Sequence, residues 1–213
     1  RFSRLRARGI RAFVMGSSSS VYGDSTPVPF REDVSADAPI SPYAATKRAA
    51  ELLCHAHALL HGASIACLRL FTVYGPRQRP DLAIHKFARL MLRGEEIPLY
   101  GDGTTERDYT YVADATHGIE RALDWCVAAP PGAFEIVNIG ESTTTSLASL
   151  VDMLSRELRT TPRVRRLPDQ PGDVQRTFAD ISRARTLFGY DPRTTMEEGI
   201  RAFAEWLRAQ PAV

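Results

Sequence analysis

Neither G-x-G-x-x-G nor G-x-x-G-x-x-G occurs anywhere in the 213 residues of this chain. Such a turn lets a pyrophosphate approach the backbone N–H groups of a helix N-terminus, so these residues carry no self-contained pyrophosphate turn. Long apolar runs are missing too: none approaches the ~18 residues of a membrane-crossing helix. Excess charge of one sign is absent. A formal charge of +2 gives no reason to expect a nucleic-acid partner. Cysteine is scarce, with Cys54, Cys67 and Cys126 in no C-x-x-C spacing. That usage suits a reducing, cytoplasmic compartment and buried small-apolar roles. The arginines at 1, 4, 6, 8 and 11 come without a continuous apolar stretch, so they do not read as a signal peptide. They form either a basic tail or, on the favoured reading, the solvated surface of a helix leading into the first strand.

What is present concentrates in two short stretches. Ser17, Ser18, Ser19 and Ser20 close an apolar strand over Arg11 to Gly16. A helix then opens at Ser41-Pro42, runs on strong helix formers through Ala44 to Leu60, and stops at Gly62. Tyr43 and Lys47 lie at i and i+4 of that helix, on one face, which brings an ammonium near a phenol. A phenol titrates near ~10, and a close cation favours its charged form. The pair reads as a base, with Ser18 relaying or anchoring the same proton. The carboxyl end of a strand is where open α/β sheets place their chemistry. Cys54, His57 and His61 share a face of the same helix, with Glu51 a turn earlier; this conceivable metal edge matches no known ligand motif.

Further along, strand and helix patterns alternate, which predicts a mostly parallel sheet with crossover helices. Strands are expected over Ser64–Phe71, Ile97–Tyr100, Arg107–Val112 and Phe134–Ile139, and near Val164. Helices are expected over Leu82–Arg93, from about Asp114 to Val127, over Ser146–Leu158 and Ser182–Phe188, and from Met196 to Leu207. Thr72 to Pro80 reads as a Gly-Pro-rich loop, and Gly101-Asp102-Gly103 as a turn.

Five ordered segments carry a resemblance: S-S-S-S-V-Y-G-D (17–24), S-P-Y-A-A-T-K (41–47), L-R-L-F-T-V-Y-G-P-R-Q-R-P-D (68–81), Y-G-D-G-T-T-E-R-D-Y-T-Y-V-A-D (100–114) and P-G-D-V (171–174). Through them the chain resembles the extended short-chain dehydrogenase/reductase family, in its nucleotide-sugar epimerase and dehydratase branch, and within it the UDP-glucuronate 4-epimerases. The resemblance implies a partial Rossmann fold, a doubly wound parallel sheet, with a smaller α/β substrate lobe. Residues 1–71 and 107–145 would belong to the later part of the NAD domain, and 72–106 with 146–213 mainly to the lobe. The chain starts in mid-helix without methionine, so it reads as the later part of a longer protein whose first half holds the cofactor's adenosine and phosphates. NAD is the implied cofactor, a UDP-sugar the substrate, and a homodimer through a four-helix contact that includes the Tyr43 helix the implied assembly.

The same resemblance implies the roles of single residues. Tyr43, as phenolate, takes the 4-hydroxyl proton of the sugar; Lys47 assists it and holds the nicotinamide ribose; Ser18 hydrogen-bonds the reacting oxygen. Gly16 and Leu70 lie against the cofactor. Dehydratases and decarboxylases of the branch carry carboxylates where this chain has Ser19 and Ser20, which supply no carboxyl group and leave epimerisation favoured. Thr72 and Arg79 are implied to hold a C6 carboxylate, Tyr100 to stack on uracil, Arg107 to meet the diphosphate and Asp173 a ribose hydroxyl. On the residues alone, Tyr100 reads equally as a half-buried strand residue, and Arg107 as an ion pair with Glu106 or Asp108. Gln170 stands where some hexose epimerases have arginine, which departs from their way of holding the second phosphate.

Overall fold

The computed structural model describes residues 7–168 and 174–210. Its centre is a parallel sheet of β1 (Ala12–Ser18), β2 (Ser64–Leu70) and β7 (Phe134–Ile139), in the order β1-β2-β7. β2 is apolar along most of its length because both of its faces are covered. Ile65 and Cys67 pack with Cys54 and Ala58 of α1 (Pro42–His61), whereas Ala66 and Leu68 pack with Ala122 and Cys126 of α3 (Val112–Ala128). Helices on opposite faces of a parallel sheet make this a Rossmann-like α/β fold.

Local chemistry explains how β1 hands over to α1. The Ser18 hydroxyl accepts from the Ser20 N–H at 3.2 Å and caps a short 3-10 turn, Ser19–Tyr22. Gly23 follows at φ 68°, where a Cβ would meet the Ala38 carbonyl oxygen at 2.8 Å. The chain then wanders to Ser41, whose hydroxyl accepts from Ala44 N at 3.1 Å with Pro42 in the first turn, and α1 ends at Gly62 in the left-handed region.

A second apolar core gathers α2 (Ala83–Leu92), β4 (Glu96–Tyr100), α4 (Leu147–Leu158) and α6 (Met196–Arg208) around Ile84, Phe87, Ile97, Leu150, Leu154 and Phe203. A capping box between Thr195 and Glu198 starts α6. β4 pairs in parallel with β9 (Arg163–Leu167). α5 (Ser182–Phe188) packs on the sheet-side core through Ala184 and Phe188. Among the described residues no helix is long and apolar enough to cross a membrane.

Three expectations change. Thr72–Tyr74, read as loop, is strand β3 and pairs in parallel with β6 (Tyr109–Tyr111) before Gly75-Pro76 ends it. The stretch from Arg107 to Val112 is not one strand. It divides into β5 (Glu106–Arg107), antiparallel to β8 (Thr145–Ser146), and β6, with Val112 already helical. The helix expected from about Asp114 starts two residues earlier, at Val112, and Asp114 in its first turn accepts from the N–H groups of Arg193 and Thr194 at 3.3 and 3.2 Å. Strands of two or three residues are set by partners far along the chain, which local periodicity does not see.

Candidate active site

The carboxyl end of β1 and the first turns of α1 meet at one place. Lys47 Nζ donates to the Gly16 carbonyl at 2.9 Å and lies 5.5 Å from the centroid of the Tyr43 ring. The lysine therefore lies beside the aromatic face while bonded to the strand end. Tyr43 is 54% exposed. A Cβ on Gly16 would meet nothing within 4 Å, so the space beside this carbonyl is open. Leu70 stands opposite Ser18 in the β1–β2 register, and the Ser18 hydroxyl also lies 3.0 Å from that of Ser20.

Two cavities lie beyond the strand ends. The first, of about 390 Å³, is lined by Ser19, Ser20, Ser41, Thr72, Arg107 and Thr177 among others. The second, of about 340 Å³, is lined by Tyr100, Lys86, Gln78 and Tyr109, and again by Thr72 and Arg107. Thr72 and Arg107 thus stand at both. Tyr43 and Lys47 line neither, although Ser41, two residues before Tyr43, lines the first. Arg79 also lines neither. Its guanidinium is 72% exposed and pairs with Asp81 at 3.0 Å. Asp173 lies outside the described residues, and its neighbour Val174 lines the first cavity.

The carboxylates expected as partners of Arg107 are engaged elsewhere. Glu106 pairs with Arg176 at 2.8 Å, and Arg107 Nη1 donates to the Glu106 carbonyl at 2.9 Å. Asp108 is fully buried and accepts from the N–H groups of Glu141, Ser142 and Ala179 at 2.8, 3.1 and 3.1 Å. Burial pushes its carboxyl up to about 6 against the pull of those three donors. It ties the start of β6 to the end of β7 and to the segment before α5. The sequence reading offered Asp108 only as an ion-pair partner of Arg107 and missed this hub, whose donors come from residues 141, 142 and 179.

Glu51, one turn before the Cys54, His57 and His61 face, points into the sheet and takes bonds from Ser17, Arg69 and Arg48. Cys54 is buried, while the His57 and His61 rings meet edge to face with centroids 4.7 Å apart. Among the described residues no group of three His, Cys, Asp or Glu side chains is placed to hold a metal. The signal that was available is Arg69, a guanidinium in the middle of S-I-A-C-L-R-L, which requires a buried carboxylate somewhere.

Residues 2–140 match the model of the NAD dependent epimerase/dehydratase family. The chain belongs to that family. It is 42% identical over 205 residues to the uncharacterized protein MJ1055 of Methanocaldococcus jannaschii, covering 96% of this chain and 61% of that one. It is 37% identical over 199 residues to a UDP-glucuronate 4-epimerase of Thermodesulfobacterium geofontis, covering 93% and 59%. The solved structure of the Bacillus cereus UDP-glucuronic acid 4-epimerase, in complex with UDP-glucuronic acid and NAD, superposes with a TM-score of 0.84 at 36% identity. That match covers 92% of this chain and 61% of the other. The chain therefore spans about three fifths of the length of these relatives.

Proposed function

We propose that the protein catalyses NAD-dependent 4-epimerisation of a UDP-sugar, with UDP-glucuronate as substrate and UDP-galacturonate as product. The observation that carries this reading is the placement of Tyr43 and Lys47 on one face of α1, with Lys47 bonded to the Gly16 carbonyl at the carboxyl end of a parallel strand. On this reading the nicotinamide ribose takes the open space over Gly16, beside Lys47. Bound there, with Gly16 and Lys47 holding its nicotinamide ribose, NAD would supply the reversible hydride chemistry at C4 of the sugar.

The chemistry at the sugar falls to side chains of this chain. Tyr43 takes the 4-hydroxyl proton and gives it back, and its exposed ring leaves room for the sugar. Lys47 supplies a fixed positive charge beside that phenol. The Ser18 hydroxyl can turn from Ser20 to the reacting oxygen. Ser19 and Ser20, on the wall of the first cavity, hydrogen-bond the sugar without offering a second acid or base. Thr72 and Arg79 hold the C6 carboxylate in the plane of the 4-keto group. This matters because a β-keto acid loses carbon dioxide once its carboxylate stands perpendicular to the carbonyl. Arg107, at both cavities, meets the diphosphate, and Tyr100 in the second stacks on the uracil.

The test is incubation of the purified protein with NAD and either UDP-glucuronate or UDP-glucose, following both C4 epimers by chromatography. Conversion of the uronate with the higher kcat/KM supports the proposal. Faster turnover of UDP-glucose would move the assignment to the hexose enzyme, and no turnover of either would remove it.

A further inference from the structure

Three buried polar residues stand in one row across the sheet. Ser17 of β1 pairs in register with Arg69 of β2, and Arg69 with Asn138 of β7; they are 3%, 2% and 0% exposed. The row lies one residue before the strand ends at Ser18, Leu70 and Ile139. A guanidinium loses its hydration there and stays only if the protein replaces those bonds.

Glu51 of α1 replaces two of them, at Nε and Nη2, while Arg69 Nη1 is left buried without a hydrogen-bond partner. Its Oε1 accepts from Ser17 Oγ at 2.6 Å and from Arg69 Nε at 2.9 Å; its Oε2 accepts from Arg69 Nη2 at 2.9 Å and Arg48 Nη1 at 3.1 Å. The guanidinium of Arg69 lies 4.6 Å from the centroid of the Tyr22 ring, whose hydroxyl donates to Asn138 at 2.8 Å. Arg48 continues to Asp37 in the segment before α1. Carboxylate and guanidinium thus meet in a two-bond fork, an arrangement that tolerates one relative placement. Sliding α1 by a single residue, ~1.5 Å, would break it.

Glu51 follows Lys47 by four residues and Tyr43 by eight, so all three share one face of α1. The bond from Lys47 to Gly16 is made one residue before Ser17 on the same strand. The register that closes the Glu51 fork is therefore the register that seats Lys47 at the strand end. An apolar pair would fill the same space, but it would not choose that register.

We propose that Glu51 is a positioning residue whose clamp on Arg69 and Ser17 sets where Tyr43 and Lys47 stand against the carboxyl end of β1. The inference rests on the reading of Tyr43 and Lys47 as the reacting pair, so its test carries one readout that needs no turnover. Lys47 and Lys86 are the chain's two lysines, and Lys86 is exposed, which makes it an internal reference for amine labelling.

The experiment compares wild type with Glu51→Gln and with the double variant Glu51→Leu/Arg69→Met, which removes both charges together. Thermal melts show which variants are folded. In the folded variants kcat for UDP-glucuronate is expected to fall about 10- to 100-fold with KM little changed, the size of effect that a ~1 Å misplacement brings. Labelling of Lys47 by acetic anhydride, relative to Lys86, is expected to rise as its bond to Gly16 loosens. A folded double variant with wild-type kcat and wild-type labelling of Lys47 overturns the proposal, as does a fall in kcat with labelling unchanged. If neither variant folds, Ser17→Ala keeps the ion pair, removes one bond, and must shift both readouts in the same direction. Should the wild-type protein turn over no UDP-sugar, the functional reading fails and labelling alone decides this inference.

Discussion

Arg79 is the residue whose substitution separates uronate recognition from the rest of the chemistry. In the structure its guanidinium is exposed and bound to Asp81 at 3.0 Å, with both side chains mostly in solvent, 72% and 65%. An ion pair so exposed contributes about 0–1 kcal/mol, so releasing Arg79 towards a substrate carboxylate opposes binding by no more than that. A charge-assisted bond to a carboxylate is worth about 1.5–3 kcal/mol. The difference leaves about 1–2 kcal/mol, or roughly 5- to 30-fold in kcat/KM at 1.4 kcal/mol per decade. Arg79→Ala is therefore expected to lower kcat/KM for UDP-glucuronate by that factor and to leave UDP-glucose turnover and the melting temperature almost unchanged. A pentose product should also appear where the wild type gives none, because the keto acid is no longer held flat. The assay follows both substrates under identical conditions, with mass detection of UDP-pentose. Equal losses for the two sugars, or no loss and a clean product, would refute the assignment of Arg79 to the carboxylate.

Other predictions follow from single observations. Burial raises the Asp108 carboxyl from 3.8 to about 6, so the folded state holds its proton more tightly than the unfolded chain. Its contribution is complete below 3.8 and is lost as pH rises through about 6, a change of at most about 3 kcal/mol. Asp108→Asn should flatten the fall in melting temperature between pH 4 and 7, and an unaltered profile would contradict it. Leu52, Leu53, Leu59 and Leu60 of α1 are 55%, 61%, 75% and 73% exposed, the face that the homodimer implied by the resemblance would cover. Leu59→Glu should halve the mass seen in sedimentation, whereas a wild type already monomeric refutes the contact. Glu51→Gln leaves Arg69 buried without its counter-charge and should destabilise the protein by about 3–5 kcal/mol, read from denaturant melts. A change under 1 kcal/mol would show that the pair carries no such load.

Local signals announced the long elements well. Ser41-Pro42 and Gly62 bracket α1 because capping and the left-handed stop are decided by neighbouring residues. The spacing of Tyr43 and Lys47 placed both on one face, as the helix has them. It could not say that the Lys47 ammonium bonds the Gly16 carbonyl and lies over the ring, since that acceptor comes from a strand thirty-one residues earlier. Glu51 shows the same limit more sharply. Helical periodicity identified its face but not what that face meets, so the clamp on Arg69 and Ser17 was not legible. β3 and β5 escaped because two- and three-residue strands depend on distant partners, Tyr109–Tyr111 and Thr145–Ser146. Arg79, which the resemblance implies for the sugar, stands exposed beside Asp81 in this structure.

The most direct test of the account is turnover of UDP-glucuronate by Tyr43→Phe, which removes one oxygen and leaves the ring over Lys47. The account predicts a loss of about 10²–10⁴-fold in kcat, the size of a general acid–base contribution, with UDP-sugar affinity retained. Turnover at the wild-type rate would contradict it.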